Sequence, residues 1–235
     1  MNVITNFITE INGYKIFLRR EDLFGEGIKG NKFRKLKYNI LKVKTTKSNG
    51  LVTFGGAFSN HLYATALAGK IYGIKTYGVV RGVEWEKKIN ENPTLIKCIN
   101  FGMKLLFVSR KAYKIKNTYK FWSQINFSPD NLYIIPEGGT NSLAVKGTSE
   151  MIQKSDYFYD SLCCPVGTGG TIAGIIQGSG SNQKIIGFSS LNHKDLKNEI
   201  NRFISTRNFE LLDNYTFGGY AKSNSQLISF INNFK

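Results

Sequence analysis

Apolar residues fall along this chain in two alternating rhythms. Residues 3–20 hold two apolar runs joined by Asn12-Gly13, a strong two-residue hairpin signal. Beyond residue 30, Phe33, Leu36, Ile40 and Val43 recur at steps of three and four, the spacing of a helix with one buried face. Residues 50–54 read as a short buried strand. A segment with Ala64, Ala66, Ala68 and Gly69 follows, small enough to pack a helix closely on a sheet. The alternation continues with strands at 75–80, 104–108 and 132–135. Helices fall near 93–101 and, basic and aromatic, at 111–124. A helix is then expected up to about residue 154, a strand at 161–165, and a helix after residue 171. A strand at 184–188, a helix at 194–204, a strand at 209–212 and a helix at 223–234 complete the series. Strands alternating with helices predict a parallel α/β sheet. No repeat, linker or low-complexity segment interrupts it.

Composition narrows the class. The chain has 235 residues, 41% hydrophobic and 20% charged, enough for one large or two small domains with a proper core. The net charge of +16 suggests an anionic partner such as nucleic acid, a membrane surface or a phosphorylated ligand. Yet the lysines are scattered, and no zinc-finger spacing, RNP sequence or basic tail concentrates them, so neither nucleic acid nor membrane is expected as a partner. Cys98, Cys163 and Cys164 make an odd number without metal-ligand spacing. They fit a reducing compartment, and with no signal-peptide core or spanning run the expectation is a soluble cytoplasmic protein.

The candidate chemistry begins at residues 27–38. Glycines permit positive φ there, and Lys32 falls at a helix start, where backbone N–H groups and the dipole are positive. Positive surroundings and burial both lower an amine's pKa, as a nucleophilic lysine needs. Lys29, Arg34, Lys35 and Lys37 crowd the segment, so an ordinary basic helix start is the plain alternative. Three glycine-rich loops, 55–61, 136–141 and 166–171, fall where parallel strands lead into helices, the position at which α/β sheets bind ligands. Gly167-Thr168-Gly169-Gly170-Thr171 can curl its N–H groups around an anion, with the helix dipole behind. It is neither a Walker A loop nor G-x-G-x-x-G, which points to a single phosphate; a tight packing turn is the alternative. Ser59-Asn60-His61 opens a helix beside Gly55-Gly56. Ser or Asn suits an N-cap and His61 a core position, while the three together suit a carboxylate or phenolate site.

Gly30-Asn31-Lys32-x-Arg34-Lys35-Leu36, Gly55-Gly56-x-x-Ser59-Asn60-His61 and Gly167-Thr168-Gly169-Gly170-Thr171, in this order, resemble the D-cysteine desulfhydrase / 1-aminocyclopropane-1-carboxylate (ACC) deaminase group. That group belongs to the tryptophan-synthase-β-like fold, fold type II, of pyridoxal 5'-phosphate (PLP) enzymes, and the resemblance runs from about Arg20 to the chain end. It implies a two-domain parallel-sheet α/β fold, with 1–32 and 138–235 forming a larger cofactor-phosphate domain and 33–137 a smaller one. It implies that Lys32 joins PLP covalently and that Asn60 bonds the cofactor's ring oxygen. Ser59 would hold the substrate carboxylate, with Asn60 and His61 beside it on the substrate side. Gly167, Thr168, Gly169, Gly170 and Thr171 would cradle the phosphate, and Tyr220 would stand near the substrate. His61 is shared more with the desulfhydrases, the deaminases usually having glutamine. The substrate expected is a small amino acid, D-cysteine or ACC, and the assembly a homodimer.

Members of the group continue beyond the position matching Lys235, with an Asp-Pro-x-Tyr-x-Gly-Lys-like motif and a second active-site tyrosine. The expectation drawn from this is a shortened relative with exposed apolar surface on its last helix and slow turnover. Three classes therefore stand: a PLP-dependent lyase or deaminase, a PLP-binding relative with little activity, and, from net charge alone, a nucleic-acid-binding protein.

Overall fold

The computed structural model describes residues 3–25, 27–191, 194–205, 209–218 and 222–234. It divides into two compact units, Met1–Leu143 and Ala144–Lys235.

In the first unit, β1 (Thr5–Ile11) and β2 (Tyr14–Arg19) form the antiparallel hairpin. Its turn residues Asn12 and Gly13 have φ of 52° and 81°, the left-handed pair that a two-residue hairpin turn requires. A parallel sheet follows, in the order β5-β4-β3-β6, from β3 (Gly50–Gly56), β4 (Thr76–Arg81), β5 (Lys104–Val108) and β6 (Leu132–Ile135). β3 is interior, paired on both edges and covered on both faces, which is why nearly all of it is buried. Leu51 packs on one face with Leu36, Ile40 and Val43 of α1 (Asn31–Thr45) and with Ala64 and Ala68 of α2 (Asn60–Tyr72). Val52 and Phe54 pack on the other with Tyr113, Phe121 and Trp122. Small residues let α2 approach the sheet closely: a Cβ on Gly69 would lie 2.4 Å from Thr76 Cγ2. α3 (Pro93–Asn100) starts on Asn92, whose side chain accepts from the N–H groups of Thr94 and Leu95.

The single helix expected at 111–124 is two, α4 (Arg110–Tyr113) and α5 (Tyr119–Gln124). Each has its own cap: Ser109 Oγ accepts from Ala112 N–H, and Thr118 Oγ1 from Phe121 N–H. A Ser or Thr side chain competes for backbone N–H groups and starts a new helix where a periodic reading carries the old one through.

In the second unit, β7 (Ser161–Val166), β8 (Lys184–Ser189) and β9 (Glu210–Leu212) pair in parallel in that order. α6 (Ser142–Ser149) stops short of the expected residue 154. The chain restarts there as a 3-10 turn, Lys154–Phe158, whose Asp156 carboxylate accepts from Gln153 N–H. α7 (Gly170–Gly178) and α8 (Leu196–Asn201) cover the sheet, α8 falling inside the longer expected span. Val166, Ile172, Ile176, Ile185, Leu196 and Ile200 make this unit's core. On α9 (Ser225–Asn233), Ile228, Phe230 and Ile231 are exposed, as is Phe234 after it. Among the described residues no helix is long and apolar enough to cross a membrane.

Candidate active site

The first unit gathers its polar groups where β3 and β6 end. Gly30, at φ 68° and ψ −154°, turns the chain into α1, a conformation a side chain disfavours. Lys32 is thus the second residue of the helix, and its Nζ donates to the carbonyl of Gly138 at 3.3 Å. Burial pushes this amine down to about 8. One turn on, Lys35 Nζ donates to the same carbonyl at 3.0 Å and to Thr140 Oγ1 at 3.1 Å. Burial first, then the nearby Lys32, holds Lys35 well below the usual lysine range. A further turn along, Asn39 exchanges amide hydrogen bonds with Asn141 at 3.2 and 2.7 Å and accepts from Tyr133 Oη at 2.9 Å. Lys32, Lys35 and Asn39 therefore bind α1 to loop 136–141 by one face.

Arg34 points elsewhere. Its guanidinium meets Glu21 at 3.2 and 3.3 Å and lies 3.8 Å from the centre of the Phe24 ring, fastening α1 to the segment before it. Of the four cations that read as a basic crowd around Lys32, Arg34 and Lys35 are buried.

Loop 55–59 carries β3 into α2. Ser59 is the N-cap, its Oγ accepting from the N–H groups of His61 and Leu62 at 3.2 and 3.3 Å. A Cβ on Gly55 would lie 2.6 Å from that Oγ, so glycine there makes room for the cap. Asn60, the first residue of α2, is exposed. His61 is buried, with Nε2 2.8 Å from Thr53 Oγ1, and Thr53 Oγ1 donates to the Ile135 carbonyl at 2.9 Å. Burial first, then Lys32 and Lys35, holds the imidazole well below its usual range, hence neutral. Its ring lies against Gly139, where a Cβ would fall 2.8 Å from Cε1. Loop 136–141 thus meets Lys32 and Lys35 through the Gly138 carbonyl and His61 through Gly139.

In the second unit, Gly167 to Thr171 joins β7 to α7. Gly169 is the N-cap in a left-handed conformation, φ 79° and ψ −20°, and contributes no side-chain cap. A Cβ there would lie 2.7 Å from Ile200 Cγ1, and Thr148 Oγ1 donates to the Gly170 carbonyl at 3.0 Å. Among the described residues a Cβ on Gly167 would meet only Leu191 Cδ1, at 4.0 Å. The first N–H groups of α7 have no acceptor inside the helix, and no acidic residue stands in its first turn. That donor set suits an anion.

Of the residues picked out in the sequence, Lys32, Ser59, Asn60 and His61 lie in the first unit, and loop 136–141 draws Lys32 and His61 together. Gly167, Thr168, Gly169, Gly170 and Thr171 lie in the second unit, and Tyr220 lies outside the described residues. Sequence reasoning passed over Lys35, Thr53 and Asn39. Lys32, Lys35 and Asn39 recur at three and four, the rhythm that found the apolar face of α1, so the polar face was there to be read.

Lys32 is equipped as a nucleophile: its amine is buried, with a carbonyl oxygen and a second lysine for neighbours. Known proteins carry the same arrangement of chain. A Thermotoga maritima protein provisionally named a 1-aminocyclopropane-1-carboxylate deaminase is 29% identical, the match covering 95% of this chain and 78% of that one. A bifunctional D-cysteine desulfhydrase/1-aminocyclopropane-1-carboxylate deaminase of Arabidopsis thaliana is 26% identical over 94% of this chain and 61% of its own length. The crystal structure of an ACC deaminase homologue superposes with a TM-score of 0.73 at 24% identity, covering 89% of this chain and 69% of that one. That likeness identifies the fold as the parallel α/β architecture of fold type II enzymes. The family model of pyridoxal-phosphate dependent enzymes matches residues 5–206, and the chain belongs to that family.

Proposed function

We propose that this protein is a PLP-dependent lyase or deaminase of a small amino acid, either D-cysteine or ACC. The observation that carries the reading is Lys32, a buried amine depressed to about 8 at the start of α1. An amine with that pKa has about a tenth of its population unprotonated at neutral pH, far more than an ordinary lysine, and that fraction can add to an aldehyde carbon. Bound PLP supplies an electron sink that makes bonds at the substrate Cα labile. Lys32 would hold the cofactor and, once its amine is released, move the proton at Cα of D-cysteine. ACC has no proton on Cα, so there a ring carbon–carbon bond breaks instead. With one water, D-cysteine yields pyruvate, ammonia and hydrogen sulfide, and ACC yields 2-oxobutanoate and ammonia.

The other residues take supporting roles in this reading. Ser59 Oγ accepts from two N–H groups of α2, leaving its own O–H to donate to a substrate carboxylate. Asn60, exposed on the first turn, has its amide available for the cofactor's ring oxygen. His61 stands on the substrate side, and Tyr220 is assigned near the substrate by resemblance alone. The first N–H groups of α7, with Thr168 and Thr171, would receive the phosphate. The reading extends to a cofactor-phosphate domain of 1–32 with 138–235, a smaller domain of 33–137, and a cytoplasmic homodimer.

The test is direct. Borohydride reduction of the loaded protein followed by peptide mapping should find the pyridoxyl group on Lys32; a label on Lys29 or Lys35 overturns the assignment. The loaded protein should release a keto acid from D-cysteine or ACC, with sulfide from D-cysteine only. Keto acid from neither substrate overturns the proposed activity.

A further inference from the structure

We propose that Thr53 is a positioning residue that fixes the proton of His61 on Nε2, so that Nδ1 is a permanent hydrogen-bond acceptor against Gly139. The argument is a count of protons. A threonine hydroxyl has one hydrogen to give, and the Ile135 carbonyl, 2.9 Å away, can only accept it. Thr53 Oγ1 has therefore spent its proton and meets His61 Nε2, at 2.8 Å, with a lone pair. Nε2 must carry hydrogen. Imidazole has two nitrogens and, when neutral, one proton between them, so Nδ1 is bare. Nδ1 is buried and has no hydrogen-bond partner among the described residues, and a Cβ on Gly139 would lie 3.1 Å from it. A second proton on Nδ1 is opposed by burial and by the amines of Lys32 and Lys35, the charged groups that act on the ring.

Thr53 sits on β3, its side chain on the face that Leu51 shares with α1 and α2, while His61 sits in the first turn of α2. The parallel pairing of Thr53 with Ile135 sets the hydroxyl's acceptor. The tautomer is thus dictated by strand register rather than by any ligand. A ring held this way keeps a bare, buried acceptor at Nδ1 and no acidic proton there. The proton's position is a property of the folded chain; its use on substrate rests on the function proposed above.

The experiment reads the proton and not turnover. Long-range proton–nitrogen correlation spectra are recorded on histidine-labelled protein without cofactor, with His193→Gln separating the two histidines. His61 should show a pyrrole-like Nε2 and a pyridine-like Nδ1. Thr53→Ser keeps the hydroxyl and should keep that pattern. Thr53→Val removes the acceptor and should lose the single tautomer. If Thr53→Val does not fold, Thr53→Cys replaces it, as a weak acceptor of similar size. A proton on Nδ1 of the neutral ring in the parent protein, or an unchanged pattern in the variant lacking the hydroxyl, overturns the proposal. None of these results depends on whether the protein turns over D-cysteine or ACC.

Discussion

The two strand-to-helix loops at 55–61 and 167–171 share a position in their sheets and differ in how their helices begin. The N-terminus of α2 is closed by its own sequence: Ser59 caps it, and His61 is pinned to Thr53. The N-terminus of α7 is open, because Gly169 has no side chain to cap it and turns the backbone through a left-handed conformation. A closed helix start can present side chains in fixed directions. An open one presents backbone N–H groups and a dipole, which select for charge and not for shape. The difference fits the roles proposed above, the first loop recognising a particular molecule and the second retaining an anion.

The strongest way to break that division is at Lys32, beside the closed loop. Lys32→Ala should abolish borohydride-stable labelling and lower turnover by about 10³-fold or more, at the level expected for losing the proton-transfer group. In the parent protein without cofactor, the rate of acylation of Lys32 should rise with pH and reach half its plateau near pH 8. The same depression has a consequence for stability. Between about pH 8 and the ordinary lysine value of 10.5, the unfolded chain binds the proton that folded Lys32 has released. Stability should therefore climb with pH across that window, and Lys32→Met should lose that part of the rise. A flat profile in the parent protein would show that the amine is not depressed.

The open loop is probed by Gly169→Asp set against Gly169→Ala. Alanine suffers the left-handed backbone and the contact with Ile200, and aspartate adds a negative charge. Removing one charge-assisted hydrogen bond costs about 1.5–3 kcal/mol, so Gly169→Asp should bind PLP at least roughly tenfold more weakly than Gly169→Ala. Equal binding by the two variants, measured by equilibrium titration, would return the loop to the status of a packing turn.

The smallest effect belongs to the closed loop. Ser59→Ala removes the cap of α2 and should destabilise the protein by about 1 kcal/mol in urea unfolding. If Ser59 also holds the substrate carboxylate, KM should rise by more than that loss of stability explains. A change in stability with KM unmoved would leave Ser59 as a cap alone.

Much of this was legible in the chain. The hairpin followed from Asn12-Gly13, whose φ angles are the ones such a turn needs. β3 followed from its short, mostly apolar run, and the loops from their glycines. Where the reading fell short, the cause was side-chain hydrogen bonding that periodicity does not encode. Ser109 and Thr118 each start a helix within what looked like one. Thr53 passed as one more β-branched residue of a buried strand, since nothing in sequence shows that Ile135 takes its hydrogen. Lys35 passed as one cation among several, because charge in a sequence reads as surface until a partner is found for it. Its partners, Gly138 and Thr140, lie more than a hundred residues away.

The shared carbonyl of Gly138 bears on what happens when Lys32 leaves it. An acceptor stripped of its only donor in a buried site resists the stripping, because an orphaned carbonyl is costly. Here Lys35 stays at 3.0 Å while Lys32 holds from 3.3 Å. The nearer lysine alone is enough to keep that carbonyl hydrogen-bonded. In the reaction proposed above, a Lys32 that leaves this carbonyl leaves it still bonded to Lys35.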